Sequence, residues 1–389
     1  MNRPPVDRIY LDHAATGWPK PTAVYETMDR FARNIGAAAG RGSYRSATAA
    51  GEIVLSCRRR LARLIGAADP RRVALFSNGT TALNAAIFGV VRPGDHVVTT
   101  AIEHNSVLRP LEWLRTTAGV TVDVVPCDRE GQVDPQAVLD RVTPRTRLVA
   151  ISHASNVTGA VQDVATIAAA LRPTDSLLLC DAAQTLGYLP IDVTRDAIDL
   201  LAAPGHKGAC GPLGTGLLAV SPKAESLLQP TTFGGTGSIS ESLRMPTELP
   251  TMLEPGNLNV TAIAGWDAAL ATLAAEDPSE RANRSQQMAD TLRQFLQPLN
   301  DVRVIGGRQL PIVSLTFSAS EVSLIASLLD DEYGIEVRSG LHCAALIHEQ
   351  LGTAPEGTLR VSGGHGTTPD QLQRCATAIA ELLTELAPG

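Results

Sequence analysis

The chain has 389 residues, 44% hydrophobic and 19% charged, with a formal net charge of −7. That composition fits a globular protein of about two domains, and it offers no basic surface for nucleic acid. The amino-terminal stretch lacks the apolar core of a signal peptide, no apolar run reaches the ~18 residues of a membrane span, and the six scattered cysteines form no CxxC pair, so a cytoplasmic protein with reduced thiols is expected.

In chain order, residues 9–11 (IYL) predict a short strand, followed by the turn-rich DHAATGWPKP. Pro21 opens a helix to about Ile35, and 36–46 (GAAAGRGSYRS) read as a loop facing a ligand. Val54, Cys57, Leu61, Leu64 and Ile65 recur at helical spacing, which predicts a helix over 51–65. Strands and helices then alternate. Strands are expected at 73–77, 96–100, 120–125, 147–152, 176–180, 199–203 and 216–220. Helices are expected from about Thr80, over Val107–Thr117 and Pro135–Arg141, and over 162–171. These strands are short and apolar on both faces, the pattern of a mostly parallel sheet covered on both sides. Residues 230–259 break the rhythm with Gly, Pro, Thr and Ser, and a loop that long is usually functional. Beyond it, helices at 260–275, 279–297, 321–331 and 369–386 and strands at 302–305, 312–317, 335–337 and 358–362 predict a smaller α+β domain.

In open parallel sheets, ligands bind beyond the carboxyl ends of the strands. Asn78-Gly79-Thr80-Thr81 follows one strand at a helix amino terminus, where free N–H groups and hydroxyls suit a phosphate. Glu103-His104-Asn105-Ser106, His153-Ala154-Ser155-Asn156, Asp181-Ala182-Ala183-Gln184 and His206-Lys207 follow others. Each alone reads as readily as a helix cap or an ordinary turn. Together they put a phosphate cradle, a carboxylate, an imidazole and a lysine on one sheet edge. Pyridoxal phosphate (PLP) needs those groups: an anchor for its phosphate, an anion for its pyridinium nitrogen and a lysine for a Schiff base. Burial of that lysine among small neutral residues would lower its pKa.

Nine segments then carry a resemblance over nearly the whole chain: YLDHAAT (10–16), SNGTTALN (77–84), EHNS (103–106), SHASNVTG (152–159), DAAQ (181–184), GHKG (205–208), GGTGS (234–238), RSGLHCA (338–344) and GTLRVS (357–362). The sequence resembles the class V aminotransferase-like, fold-type-I PLP enzymes, and within them the cysteine desulfurases. The resemblance implies a large PLP-binding domain over 18–258, and a small domain from 1–17 plus 259–389 that carries the cysteine loop. It implies that Lys207 links to the cofactor and moves the substrate α-proton. Asp181 would pair with the ring nitrogen, His104 would stack on the ring and share in proton transfer, and Gln184 would bond the phenolic oxygen. Thr80, Thr81 and His206 would hold the phosphate, with Thr236 reaching that of a neighbouring subunit in a homodimer. Asn156 and Arg360 would hold the substrate carboxylate, a task that suits the planar fork of arginine.

Cys343 distinguishes the reactions open to this scaffold. In a desulfurase its thiolate, favoured by Arg338 and His342, takes sulfur from L-cysteine, leaving alanine and a persulfide. The sulfur would pass to an acceptor protein for iron–sulfur cluster assembly or another thio-cofactor. The alternatives are a C–S lyase or selenocysteine lyase that does not use Cys343 as carrier, and a class V aminotransferase or epimerase. An idle scaffold that binds a sulfur-transfer partner is opposed by the joint presence of Lys207, Asp181 and Arg360. Cys57, Cys180 and Cys375 read as core. No zinc-type ligand spacing links His342, Cys343, His348 and His365, so no metal is expected. Three positions depart from the family pattern: Pro204 replaces a hydroxyl residue, Tyr44 a histidine, and Gly364-His365-Gly366-Thr367 an aromatic-Asn-Thr run.

Overall fold

The computed structural model describes residues 8–238 and 241–387. The first seven residues of the expected small domain, residues 239 and 240 of the expected loop and the last two residues lie outside the described residues.

The chain begins with β1 (Ile9–Tyr10), α1 (Thr22–Asn34) and α2 (Arg45–Leu64). Then come β2 (Val73–Phe76), α3 (Gly79–Val90), β3 (His96–Thr100), α4 (Asn105–Ala118), β4 (Thr121–Val125), α5 (Pro135–Leu139), β5 (Thr146–Ser152) and α6 (Val164–Leu171). β6 (Leu177–Asp181), β7 (Leu200–Pro204) and β8 (Gly216–Val220) complete a seven-stranded sheet of order β2-β8-β7-β6-β5-β3-β4. All its neighbours are parallel except at β8, which runs antiparallel to both β2 and β7. The pleat explains the apolar runs. Val149, Ile151, Leu178, Cys180, Leu201 and Ala203 pack into one layer, while Leu148, Ala150, Leu177, Leu179, Leu200 and Ala202 pack into the opposite one.

After α7 (Pro222–Glu225), α8 (Val260–Ala274) joins the first of these layers with α1 and α2. Next come α9 (Pro278–Leu296), β9 (Val302–Gly306), β10 (Ile312–Phe317), α10 (Val322–Tyr333), β11 (Ile335–Glu336), β12 (Arg338–Gly340), α11 (Ala345–Leu351), β13 (Thr358–Ser362) and α12 (Pro369–Glu385). β12-β13-β10-β9 form an antiparallel sheet, and β11 pairs in parallel with β1. A third core, with Leu292, Leu315, Leu329, Leu359 and Ile379, lies against this sheet.

Three local features differ from the sequence expectation. α2 starts at Arg45 rather than 51, because Ala47 and Ala50 extend its buried stripe. The expected strand at 335–337 divides, its first half on β1 and the following residues on β13. α11 was not expected. It is seven residues long and closes on Gly352 in the left-handed conformation.

Candidate active site

The carboxyl edge of the large sheet opens into a cavity of about 220 Å³. Asn78, Gly79, Thr80, His104, Ser106, Ser152, Asn156, Asp181, Gln184, Pro204, His206, Lys207, Arg338, His342 and Arg360 all line it. The strand ends deliver them: α3 follows β2, His104 caps α4 after β3, Ser152 ends β5, Asp181 ends β6, and His206-Lys207 follow β7.

At the helix end, the Asn78 side chain accepts the N–H of Thr81 at 2.8 Å, which leaves the first N–H groups of α3 toward the cavity. Thr80 Oγ1 lies 2.8 Å from Ser106 Oγ, which in turn lies 2.8 Å from His104 Nδ1. His206 Nδ1 is buried and has no partner among the described residues. A phosphate would satisfy it together with those N–H groups. Thr81 turns away: its hydroxyl bonds the Asn78 carbonyl at 3.0 Å, and it does not line the cavity. Thr236 also lies outside the cavity of its own chain, with its hydroxyl 2.9 Å from Ser238 Oγ.

Lys207 has no hydrogen bond or close ion pair among the described residues, and burial lowers its pKa to about 8 despite the opposing pull of Asp181. Burial raises that of Asp181, whose carboxylate accepts one N–H, from Ala183 at 2.9 Å. His104 accepts the Ser106 N–H on Nδ1 at 3.0 Å, so its ring proton sits on Nε2. Burial, with Lys207 next, lowers its pKa to about 4. Gln184 Nε2 donates to the Ala14 carbonyl at 3.1 Å.

Arg360 is 1% exposed. It donates to Asp12 Oδ1 at 2.6 Å and to the Asn156 carbonyl at 3.0 Å, which leaves Nε without a partner among the described residues. Asn156 Oδ1 is likewise unpartnered, while its Nδ2 donates to the His342 carbonyl at 2.7 Å. Two adjacent buried groups wanting a partner fit an incoming amino acid with its carboxylate on Arg360.

Cys343 is exposed, and its Sγ lies 3.6 Å from Arg338 Nη2. It does not itself line the cavity. His342 and Cys343 are consecutive left-handed residues, with φ of 50° and 58°. Two such non-glycine residues are strained, and they persist here because both carbonyls are held. Asn156 holds that of His342, and the N–H of Asn105, beside His104, holds that of Cys343 at 2.7 Å. His342 does not act as expected on the thiol. Its Nε2 is tied to Thr358, and burial lowers its pKa to about 2, so it carries no positive charge. Arg338 is the cation at Cys343.

Sequence reasoning missed Asp12, which anchors Arg360, and Ser106, which joins Thr80 to His104. Asp12 lies two residues past β1 and Ser106 follows a strand motif by one turn, so position was the available signal. Of the departures, Pro204 lines the cavity, but Tyr44 and His365 do not. The 364–367 turn packs on His13 instead, with Thr367 Oγ1 3.3 Å from His13 Nε2.

A parallel sheet whose carboxyl edge presents an unpartnered lysine, an opposed buried carboxylate and a helix amino terminus defines a fold-type-I transferase. The sequence profile of the aminotransferase class-V family matches residues 9–375, and the chain belongs to that family. A protein of Methanothermobacter thermautotrophicus named probable cysteine desulfurase is 32% identical over 383 residues, covering 97% of this chain and 95% of its own. The apo structure of the cysteine desulfurase from Thermococcus onnurineus NA1 superposes with a TM-score of 0.90 at 27% identity, over 97% of this chain and 95% of its own. The cysteine desulfurase CsdA of Escherichia coli, in its S-sulfonic acid form, gives a TM-score of 0.88 at 27% identity over the same shares.

Proposed function

We propose that this chain is a PLP-dependent cysteine desulfurase, converting L-cysteine to L-alanine and a persulfide on Cys343. The observation that carries the reading is the clamp on the cysteine. The Cys343 carbonyl sits on the N–H next to His104, and its thiol sits on Arg338, a residue of the cavity wall. The residues present fit the cofactor. The unpartnered His206 Nδ1 and the start of α3 suit its phosphate, Asp181 its ring nitrogen, and Lys207 its aldehyde.

When bound, PLP supplies an electron sink for the amine of an amino acid. The protein supplies the rest. Arg360 orients the substrate carboxylate through its Nε–H, to which the second Nδ2 proton of Asn156 can add a donor, while Asn156 Oδ1 is left to accept an N–H. Lys207 Nζ, disfavoured as a cation, takes the substrate α-proton. Asp181 would hold the proton on the ring nitrogen, and His104, which lines the cavity with its ring proton on Nε2, would supply the face against which the ring stacks. Cys343 Sγ, as the thiolate, attacks the substrate sulfur. An S–S bond forms, the C–S bond breaks, and its electron pair stays on carbon, which takes a proton to become the alanine methyl. The exposed persulfide is then open to an acceptor protein, and supply of sulfur for iron–sulfur clusters in the cytoplasm is the role this chemistry suits.

The enzyme acts as a homodimer. Tyr44, Phe233 and Leu243 expose large apolar side chains on the segments around Thr236, and Arg41 ties these segments together through Gly235, Gly256 and Asn257. A second copy covering them would bring Thr236 to its neighbour's cavity. One observation favours a second reading: Cys343 lies outside the cavity lining, as a C–S lyase or selenocysteine lyase that bypasses it would allow.

Mass spectrometry of the Cys343 peptide after turnover with L-cysteine separates the two. One added sulfur on Cys343, with alanine formation lost in Cys343→Ala, is expected. Full alanine production by that variant would sink the persulfide route.

A further inference from the structure

The chemistry above leaves Glu103 unused, although the side chain is fully buried one residue before His104. Its Oε1 accepts the Thr100 hydroxyl at 2.6 Å and the Ser152 N–H at 2.9 Å, and its Oε2 accepts the Ser152 hydroxyl at 2.7 Å. Three donors on two oxygens suit an ionised carboxylate, because a protonated acid must turn one contact around. Ser152 is paired with Asp181 in the β5–β6 register, and both line the cavity. Asp181 receives the Ala183 N–H, and among the described residues no side chain donates to it. Ser152, the register neighbour of Asp181, has its hydroxyl proton committed to Glu103. Burial and the charge of Asp181 push the Glu103 pKa up to about 7. The Cys180 thiol is the other titratable group beside it, and Lys207 acts on Asp181 from across the cavity.

We propose that Glu103 is a positioning residue that withholds the Ser152 proton from Asp181, leaving the Asp181 carboxylate a strong acceptor at the cavity wall. This rests on the reading that the cavity holds PLP with its ring nitrogen on Asp181. A hydroxyl donating to Asp181 would stabilise the bare carboxylate and weaken its hold on a shared proton. In a buried network the direction of one proton therefore sets the basicity of the next group.

Glu103→Gln tests this with little change of shape. The two donors on Oε1 take the amide oxygen, so the amide NH₂ faces Ser152 Oγ. The Ser152 hydroxyl must then accept, and its proton turns toward Asp181. The purified protein is loaded with PLP isotopically labelled at the ring nitrogen, and NMR follows that nitrogen against pH. The protonation midpoint should fall by about one pH unit in Glu103→Gln, a roughly tenfold weaker hold. It should stay at the native value in Ser152→Ala, and in the double variant it should fall by less than in Glu103→Gln, because only the lost Glu103 charge then acts. A fall in the double variant as large as that in Glu103→Gln assigns it to charge alone and overturns the proposal, as does a moved midpoint in Ser152→Ala, which stands as the test should Glu103→Gln fail to fold. Uptake of the label with an unmoved Glu103→Gln midpoint overturns the Glu103 assignment alone. A native protein that takes up no label overturns it together with the reading beneath it.

Discussion

Removing Asp181 should make the Lys207 amine less basic still, and the effect can be measured without the cofactor. In the native protein burial takes Lys207 from the ordinary 10.5 to about 8 against the pull of Asp181. At ~1.4 kcal/mol for each tenfold change, that disfavours the ammonium by about 3 kcal/mol. At neutral pH roughly a tenth of Lys207 is then a free amine, against about one in three thousand for an ordinary lysine. Asp181 is the largest influence opposing the burial, so Asp181→Asn should lower the midpoint by about one further pH unit. The chain has three lysines, Lys20, Lys207 and Lys223, so competitive acetylation of the apoprotein across pH, read by mass spectrometry, resolves each one. A native midpoint above pH 10, or a rise in Asp181→Asn, would refute the claim that desolvation sets the reactivity of this amine.

Acid should unfold the apoprotein early. His13, His104, His153 and His206 are lowered to about 4, each chiefly by burial, and His342 to about 2. The unfolded chain therefore binds more protons below pH 6.5, and stability falls as pH drops from 6.5 toward 4, by up to about 3 kcal/mol for each histidine lowered to about 4. Glu103, raised to about 7, and Asp181, also raised by burial, run the opposite way but are two groups against five. Urea unfolding at neutral pH and at pH 5 measures the difference, and equal midpoints would contradict it. Glu254→Ala should cost about 3–5 kcal/mol, because Arg58 and Glu254 are each 8% exposed and joined at 2.7 and 2.9 Å. Urea titration checks this too, and a cost below about 1 kcal/mol would place the pair with weak surface bridges. Asn156→Ala removes the buried donor to the His342 carbonyl, worth about 1–3 kcal/mol. Sulfur transfer to Cys343 in a single turnover should slow roughly tenfold or more, and an unchanged rate would show that the clamp does not place the thiol.

What the sequence made legible, and what it hid, follows from how far each contact reaches. Leu177–Asp181 and Leu200–Pro204 read as buried strands because both faces of a sandwiched parallel sheet are apolar, and that pattern is local. The site residues were legible for the same reason. Parallel strands carry whatever follows them to one edge, so Thr80, His104, Asn156, Asp181, Gln184 and Lys207 could be listed from strand ends alone, and all line one cavity. Contacts that close over long separations left no such trace. Asp12 meets Arg360 across 348 positions, and nothing beside Arg360 in the chain predicts that one fork of its guanidinium is already held. The Glu103 network was hidden differently: its residues lie in motifs that were read, but the direction of a hydroxyl proton is a property of three groups at once. Cys343 combines both cases. Its motif named it, yet its placement depends on two left-handed residues and on a backbone N–H at Asn105, which almost any side chain at that position would supply. A helix start can thus fix a nucleophile without its residue type betraying it, and the reactive half of this site is written in backbone geometry rather than in amino-acid identity.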